Sequence, residues 1–257
     1  MDPATIAGIV LAFVAIFVTM ILEGSSIGSI FLIPPLILVF VGTLGAAMAG
    51  GMLKDTIALV DSLKRVLLSK AATYDTLVDD IVKLAEKARR EGLLALEDAM
   101  KEVSDPFLKK GLQLAIDGTD SEELAAILEA EVDAKKKADK QAAAIFTAMG
   151  GYAPTVGIIG TVVGLIHVLE NLSQPEKLGH LIAGAFVATL WGVLSANVMW
   201  LPMGAKLKRV SEIECAQMEL VIAGIINIQA GANPRLVAQK LRSLLPPGSV
   251  KEKEKAA

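Results

Sequence analysis

Apolar residues in this chain gather in four long blocks, and a charged stretch separates the first pair from the second. Ile6–Leu22 runs 17 residues without a charge, just enough for a helix to cross a hydrocarbon core of about 30 Å. Glu23 ends it. The turn Gly24–Gly28 leads to a second block, about Ile30–Leu53, which opens on Pro34 and Pro35 and closes on GTLGAAMAGG. The third block covers Ile145–Leu169, a polar loop at Asn171–Leu178 follows, and the fourth covers Leu181–Pro202. The pattern predicts an all-α, polytopic membrane protein with four transmembrane helices and a cytoplasmic helical domain. The expected segments are 1–53 (first two spans), 54–141 (cytoplasmic helices), 142–202 (last two spans) and 203–257 (cytoplasmic C-terminal helices and a disordered KEKEK tail).

The charged stretch reads as helices. VDSLKRVLL is amphipathic, and within Asp75–Ala88 the apolar residues Leu77, Val78, Ile81, Leu84 and Ala85 recur at helical spacing. Asp105-Pro106 suits an N-cap followed by proline at the first helical position, and Gly118 suits a left-handed C-terminal cap. Asp120 with Glu123 predicts a capping box for a helix over Glu122–Lys137. After Pro202 the basic cluster Lys206, Lys208 and Arg209 precedes an amphipathic helix, and a short last helix covers Arg235–Leu245, ahead of Pro246-Pro247. No strand or hairpin pattern stands out.

Composition agrees: 53% of residues are hydrophobic, 21% are charged, and mean hydropathy is +0.56, too apolar for an ordinary soluble domain. MDPATIAG has no Lys or Arg before the first apolar run, so that run is expected to be a retained span, not a cleaved signal. Basic residues follow the second span (Lys54, Lys64, Arg65) and the fourth, whereas the other loops hold only Lys177. The positive-inside rule then predicts that both termini are cytoplasmic. No repeat relates the two hairpins, so an inverted-repeat transporter is not expected.

A net charge of −3 gives no reason to expect nucleic acid. The single cysteine, Cys215, excludes an intrachain disulfide, and two histidines, His167 and His180, are too few for a histidine metal site. GIIGTVVG lacks the Lys-Ser/Thr ending of a phosphate-binding loop. No catalytic arrangement is visible, so an enzyme, a cofactor and a bound metal are not expected. His167 reads as structural or interfacial, and Trp200 as a lipid-facing aromatic at the membrane interface.

The third block carries the most unusual pattern. Gly157, Gly160, Thr161 and Gly164 fall on one helix face, and the fourth block has a matching stripe of Ala185, Ala188, Thr189, Gly192, Ser195 and Ala196. Such faces serve close helix packing; the sharper alternative is the wall of an ion path or a socket for another helix. No span has Asp, Glu, Lys or Arg in its middle, and the polar groups at depth are Thr43, Thr161, Thr189, Ser195 and Asn197. Ion translocation ordinarily needs an intramembrane ionisable group. Unless Glu23, His167 or Glu170 at the span ends serves, the carboxylate for any ion passage is expected from another chain. The glycine row then reads as one half of a socket for that chain's helix, with the stripe on the fourth span as the other half.

The segments ARREGLLALED (Ala88–Asp98), YAPTVGIIGTVVGLI (Tyr152–Ile166), AFVATLWG with WLPMGAKLKR (Ala185–Arg209), and GANPRLVAQKL resemble the MotA family of flagellar motor stators, including its sodium-type PomA and MotP relatives. ExbB and TolQ, energisers of envelope systems, share the small-residue face but have three spans. The resemblance implies an inner-membrane torque generator: a homo-oligomeric ring of five around the single-span helices of a MotB-like dimer, whose aspartate binds the ion. It implies coupling roles for Pro154 and Pro202, and rotor contact with the protein FliG through Arg89, Arg90 and Glu97. It implies an ion path past Thr161 and Thr189, carrying Na+ in preference to H+, since a hydroxyl oxygen can replace part of a sodium hydration shell.

Overall fold

The computed structural model describes residues 4–68 and 74–245, with the side chains of Leu68 and Asp75 outside the description. The expected disordered tail and Pro246-Pro247 lie outside the described residues. Within them the elements are α1 (Ala4–Leu22), a 3-10 turn (Ile27–Ile30), α2 (Ile33–Ala49), α3 (Leu53–Ile57), α4 (Leu59–Leu68), α5 (Tyr74–Glu91), a 3-10 turn (Leu93–Ala95), α6 (Leu96–Ala99), α7 (Pro106–Ile116), α8 (Ser121–Glu170), α9 (Pro175–Leu194), a π-helical segment (Ser195–Trp200), α10 (Leu201–Gln229) and α11 (Pro234–Ser243). The chain is all-α, with no strand among the described residues.

Local chemistry sets most of the helix ends. The Asp105 carboxylate accepts from the Leu108 N–H at 2.9 Å, with Pro106 at the first position of α7. Gly118 closes α7 at φ +83, and Thr119 N–H reaches back to Leu114 O at 3.1 Å, the two-bond cap that a left-handed residue permits. Asn233 caps α11 by accepting from Arg235 N–H at 3.0 Å. Asp120 differs from expectation. It accepts from Glu122 N–H at 3.0 Å, one residue short of the reach that defines a capping box.

The largest departure is continuity. A helix over Glu122–Lys137 and a separate span from Ile145 were expected; both belong to α8, a single helix of 50 residues. The span at Leu181–Pro202 and the amphipathic helix after it likewise run together, from Pro175 to Gln229. The junction Ala138–Ile145, ADKQAAAI, contains good helix formers and no breaker. Hydropathy changes there and the backbone does not. Among the described residues, three helical stretches are long and apolar enough to cross a membrane, within α1, within α8 and within Pro175–Gln229; α2 is a shorter apolar helix of 17 residues.

Contacts divide the chain into two compact units that cut across the expected segments. Unit 1 comprises 1–70 and 139–210; unit 2 comprises 71–138 and 211–257. The helices α3 and α4, expected with the cytoplasmic domain, therefore belong to unit 1, and the C-terminal helices share the core of unit 2.

In unit 1, Trp191 is the centre of an aromatic cluster. Its ring lies 5.6 Å from Phe31, 5.8 Å from Phe40 and 6.2 Å from Phe13, distances at which tilted pairs attract beyond simple burial. Its Nε1–H donates to Ile30 O at 2.7 Å, so α9 holds the turn that joins α1 to α2. Helix α4 buries Val66 against Ala143, Phe146, Met203 and Leu207. Beside it the Arg65 guanidinium grips the buried Asp139 carboxylate with two bonds, 2.5 and 3.2 Å. Trp200 corrects the lipid-facing expectation: it is half-buried, packs with this cluster and meets Phe40 edge-on at 6.1 Å.

In unit 2, α5, α6, α7, and the parts of α8 and α10 that belong to it bury a core with α11, including Ile81, Leu96, Leu112, Leu124, Leu128, Ile225 and Leu241. The predicted face of α5 is the buried one: Val78, Ile81, Leu84 and Ala85 all lie inside.

Candidate functional site

The small-residue rows of α8 and α9 face each other. A Cβ on Gly157 would lie 2.8 Å from Ala188 O and 3.1 Å from Gly192 Cα; on Gly160, 2.6 Å from Ala188 Cβ and 2.9 Å from Leu38 Cδ2; on Gly164, 2.7 Å from Ala185 Cβ. Gly192 is as tight, with Ala153 O at 2.6 Å from the position of a Cβ. The glycines thus let two backbones of one chain touch, as small faces do in membranes. This corrects the expectation that Gly157, Gly160 and Gly164 are a surface for a partner helix: Ala185, Ala188, Gly192 and Leu38 already fill it. The exposed face of α8 carries Ile158, Ile159, Val162, Val163 and Ile166.

Thr161 and Thr189 meet inside this seam. Their hydroxyls are hydrogen-bonded to each other. Thr161 Oγ1 also lies within donating distance of Ala185 O (3.1 Å) and Gly157 O (3.3 Å), and Thr189 Oγ1 of Gly157 O (3.4 Å). Two hydroxyl protons therefore serve three acceptors, two carbonyls and one another. Four neutral oxygens converge in a half-buried pocket of the backbone, with no charged side chain on either row. Thr43 contributes a different feature: it is fully buried on α2, and its hydroxyl has no partner.

The two prolines lie further along the same two helical stretches, Pro154 in α8 and Pro202 at the start of α10, which continues from α9 through the π-helical segment. Pro154 lies inside α8 without ending it; it removes the donor that Gly150 O would otherwise meet. Gly150 lies close against Leu201, which immediately precedes Pro202 in sequence. Upstream of Pro202 the helix widens into the π-helical segment Ser195–Trp200, an arrangement that accommodates a missing backbone donor. Side chains satisfy carbonyls of this region: Ser195 donates to Gly192 O at 3.3 Å and Asn197 to Val193 O at 2.8 Å. Trp200 Nε1 is buried there without a partner. The resemblance singled out the prolines but not the π turn, whose six residues are too few for a changed period to be read from apolar spacing.

At the C-terminal end of α8, His167 Nδ1 lies 3.4 Å from Glu170 Oε2, and both are exposed. No cluster of three metal-ligating side chains occurs among the described residues.

Unit 2 carries the other candidate group. Arg89 and Arg90 end α5, Gly92 turns the chain at φ +85, and Glu97 and Asp98 begin α6. All four side chains are exposed. Asp98 pairs with Lys101 at 2.8 Å; the hydrogen bond and charge of Lys101 hold the Asp98 carboxyl below its usual range, and Asp98 holds the Lys101 ammonium above its own.

The family model of the MotA/TolQ/ExbB proton channel family matches residues 99–220. Motility protein A of Bacillus subtilis is 40% identical over 96% of this chain and 92% of its own length. The structure of C. jejuni MotAB contains a chain that superposes with a TM-score of 0.92 at 31% identity, covering 98% of this chain and all of that one. The flagellar MotAB stator complex from Bacillus subtilis gives 0.88 at 37% identity over 95% of this chain and 96% of that one. The chain belongs to the MotA/TolQ/ExbB proton channel family, and within it to the MotA-type flagellar stator proteins. It is a component of an ion-driven motor, in a family of membrane proteins.

Proposed function

We propose that this chain forms the ring of a flagellar stator in the bacterial inner membrane, crosses it four times with both termini in the cytoplasm, and turns the rotor as ions pass. The observation that carries the reading is the polar seam of Thr161 and Thr189 in helices without a carboxylate at depth. A cation in transit needs a counter-charge in hydrocarbon. The solved relatives are MotAB complexes, which supports a MotB-like partner and an oligomeric stator; in this reading the partner is a single-span dimer that supplies the carboxylate, and five copies of this chain form the ring around it. Helix α2 supplies the fourth span, at about 26 Å of helix from its 17 residues. No catalytic chemistry enters: the chain is a transducer, not an enzyme, and uses no cofactor beyond the transported ion.

Sodium is the favoured ion. Hard cations take oxygen ligands. If the Thr161 and Thr189 protons both turn onto the Ala185 and Gly157 carbonyls, the hydroxyl lone pairs are left free for the ion. Thr161→Val with Thr189→Val keeps the shape and removes the oxygens. The double variant is expected to lose sodium-dependent rotation while still assembling with the partner. Full speed in sodium-free medium, in the native protein, would reject sodium as the ion. Pro154 and Pro202 act as the joints through which ion occupancy changes the lean of α8 and α9. Arg89, Arg90 and Glu97 touch the rotor protein FliG, a contact of charges suited to repeated making and breaking.

A further inference from the structure

Unit 2 leaves one large apolar side chain outside its core at a place where its neighbours fold in. Leu93, Leu94 and Leu96 follow Gly92. Leu96 is fully buried and Leu93 packs on the same core, but Leu94 is 74% exposed, above Leu244 at 61% and Leu236 at 46%, the next most exposed large apolar residues described in unit 2. Its backbone is firmly held. Gly92 N–H donates to Ala88 O at 2.9 Å, Ala95 N–H donates to Gly92 O at 3.3 Å, and the 3-10 turn runs directly into α6. Exposed charges of both signs flank it in sequence: Arg89, Arg90 and Glu91 before, Glu97 and Asp98 after.

We propose that Leu94 is the apolar anchor of the rotor contact. It fits an apolar socket on the rotor protein whose rim carries charges of both signs, set against Arg89, Arg90 and Glu97. The inference rests on the reading of those charges as the rotor face. Exposed ion pairs contribute little lasting attraction in water, and they govern encounter more than residence. A contact that transmits force must last for the length of a stroke, and residence is set by groups that desolvate at the centre of an interface. A firmly held, exposed leucine with exposed charges on both sides of it in sequence suits such a centre, with the charges as its polar rim.

The test uses the full chain with its partner as the only stator in motile cells. It reads the residence time of stator units on a loaded motor and the speed of the unloaded one. Leu94→Ser is expected to shorten residence about tenfold at high load, while Leu94→Met keeps most of it and purified complexes of both keep their native size. Normal residence for Leu94→Ser overturns the anchor. If Arg89→Glu with Glu97→Lys then still abolishes torque, the rotor face stands without Leu94; if those reversals are also silent, both readings fall. A change in the size of the purified Leu94→Ser complex assigns the residue to contact between copies of this chain and likewise overturns the anchor.

Discussion

At the scale of single residues, the seam between α8 and α9 turns on atoms that are missing. Gly157 faces backbone: a carbonyl at 2.8 Å and two Cα atoms within 3.2 Å of where a Cβ would sit, none of which can rotate away. Gly157→Val is therefore expected to cost about 1–3 kcal/mol by overpacking, read as a lower unfolding temperature in detergent. Gly151→Ala, where nothing lies within 4 Å, is expected to change stability little or to raise it slightly. The spacing of these glycines was plain in the sequence, and so was the matching stripe on α9. What the stripes meet was not. A period identifies a face and leaves its occupant open, so the partner-helix reading was available until Ala188 and Gly192 were seen to fill the groove. Asp105, Gly118 and Asn233 were easier, since caps act over three residues and need no tertiary partner.

At the scale of elements, the length of α8 and the fastening of α4 decide how the molecule holds together. Hydropathy divides α8 in two because Asp139 and Lys140 end the charged half, yet nothing between the halves stops a helix. Asp139 is then a buried carboxylate gripped by Arg65, 74 residues earlier, a pairing no local pattern could reveal. Removing one member of such a pair takes away a large part of what compensates the buried charge. Arg65→Gln is expected to destabilise unit 1 by about 3 kcal/mol, and Arg65→Leu with Asp139→Leu to recover most of it; thermal unfolding of the three variants checks this. At Pro202, restoring a backbone donor with Pro202→Ala favours regular α-helix over the π turn. Rotation is expected to fall while stability stays within about 1 kcal/mol of the native protein, since the change relieves no clash and empties no core. Equal rotation would show that the π turn is only a way of housing a proline.

For the whole molecule, two charge systems work on different sides of the problem. The ion side has no carboxylate of its own. The charges proposed to meet the rotor are exposed and solvated, so no local energy reveals a role for them; only resemblance to a family singled out Arg89, Arg90 and Glu97. Reversing Arg89 and Glu97 together is expected to abolish or sharply reduce stall torque, with recovery when the facing rotor charges are reversed too. The Asp98–Lys101 pair adds a pH expectation. A carboxyl held low contributes above its ordinary range and is lost only as pH falls through the lowered value; an ammonium held high contributes below its ordinary range and is lost as pH rises through the raised one. Between roughly pH 5 and 9 the local fold of α6, followed by amide exchange, is expected to be constant.

The central claim is that this chain forms the wall of an ion path and a second chain supplies the charge. The most direct measurement is ion flux into vesicles reconstituted with this protein, alone and with its single-span partner, under an imposed potential. The account predicts flux only with the partner, lost when the partner's intramembrane aspartate becomes asparagine and reduced when Thr161 and Thr189 are both valine. Robust flux through this chain alone would contradict it.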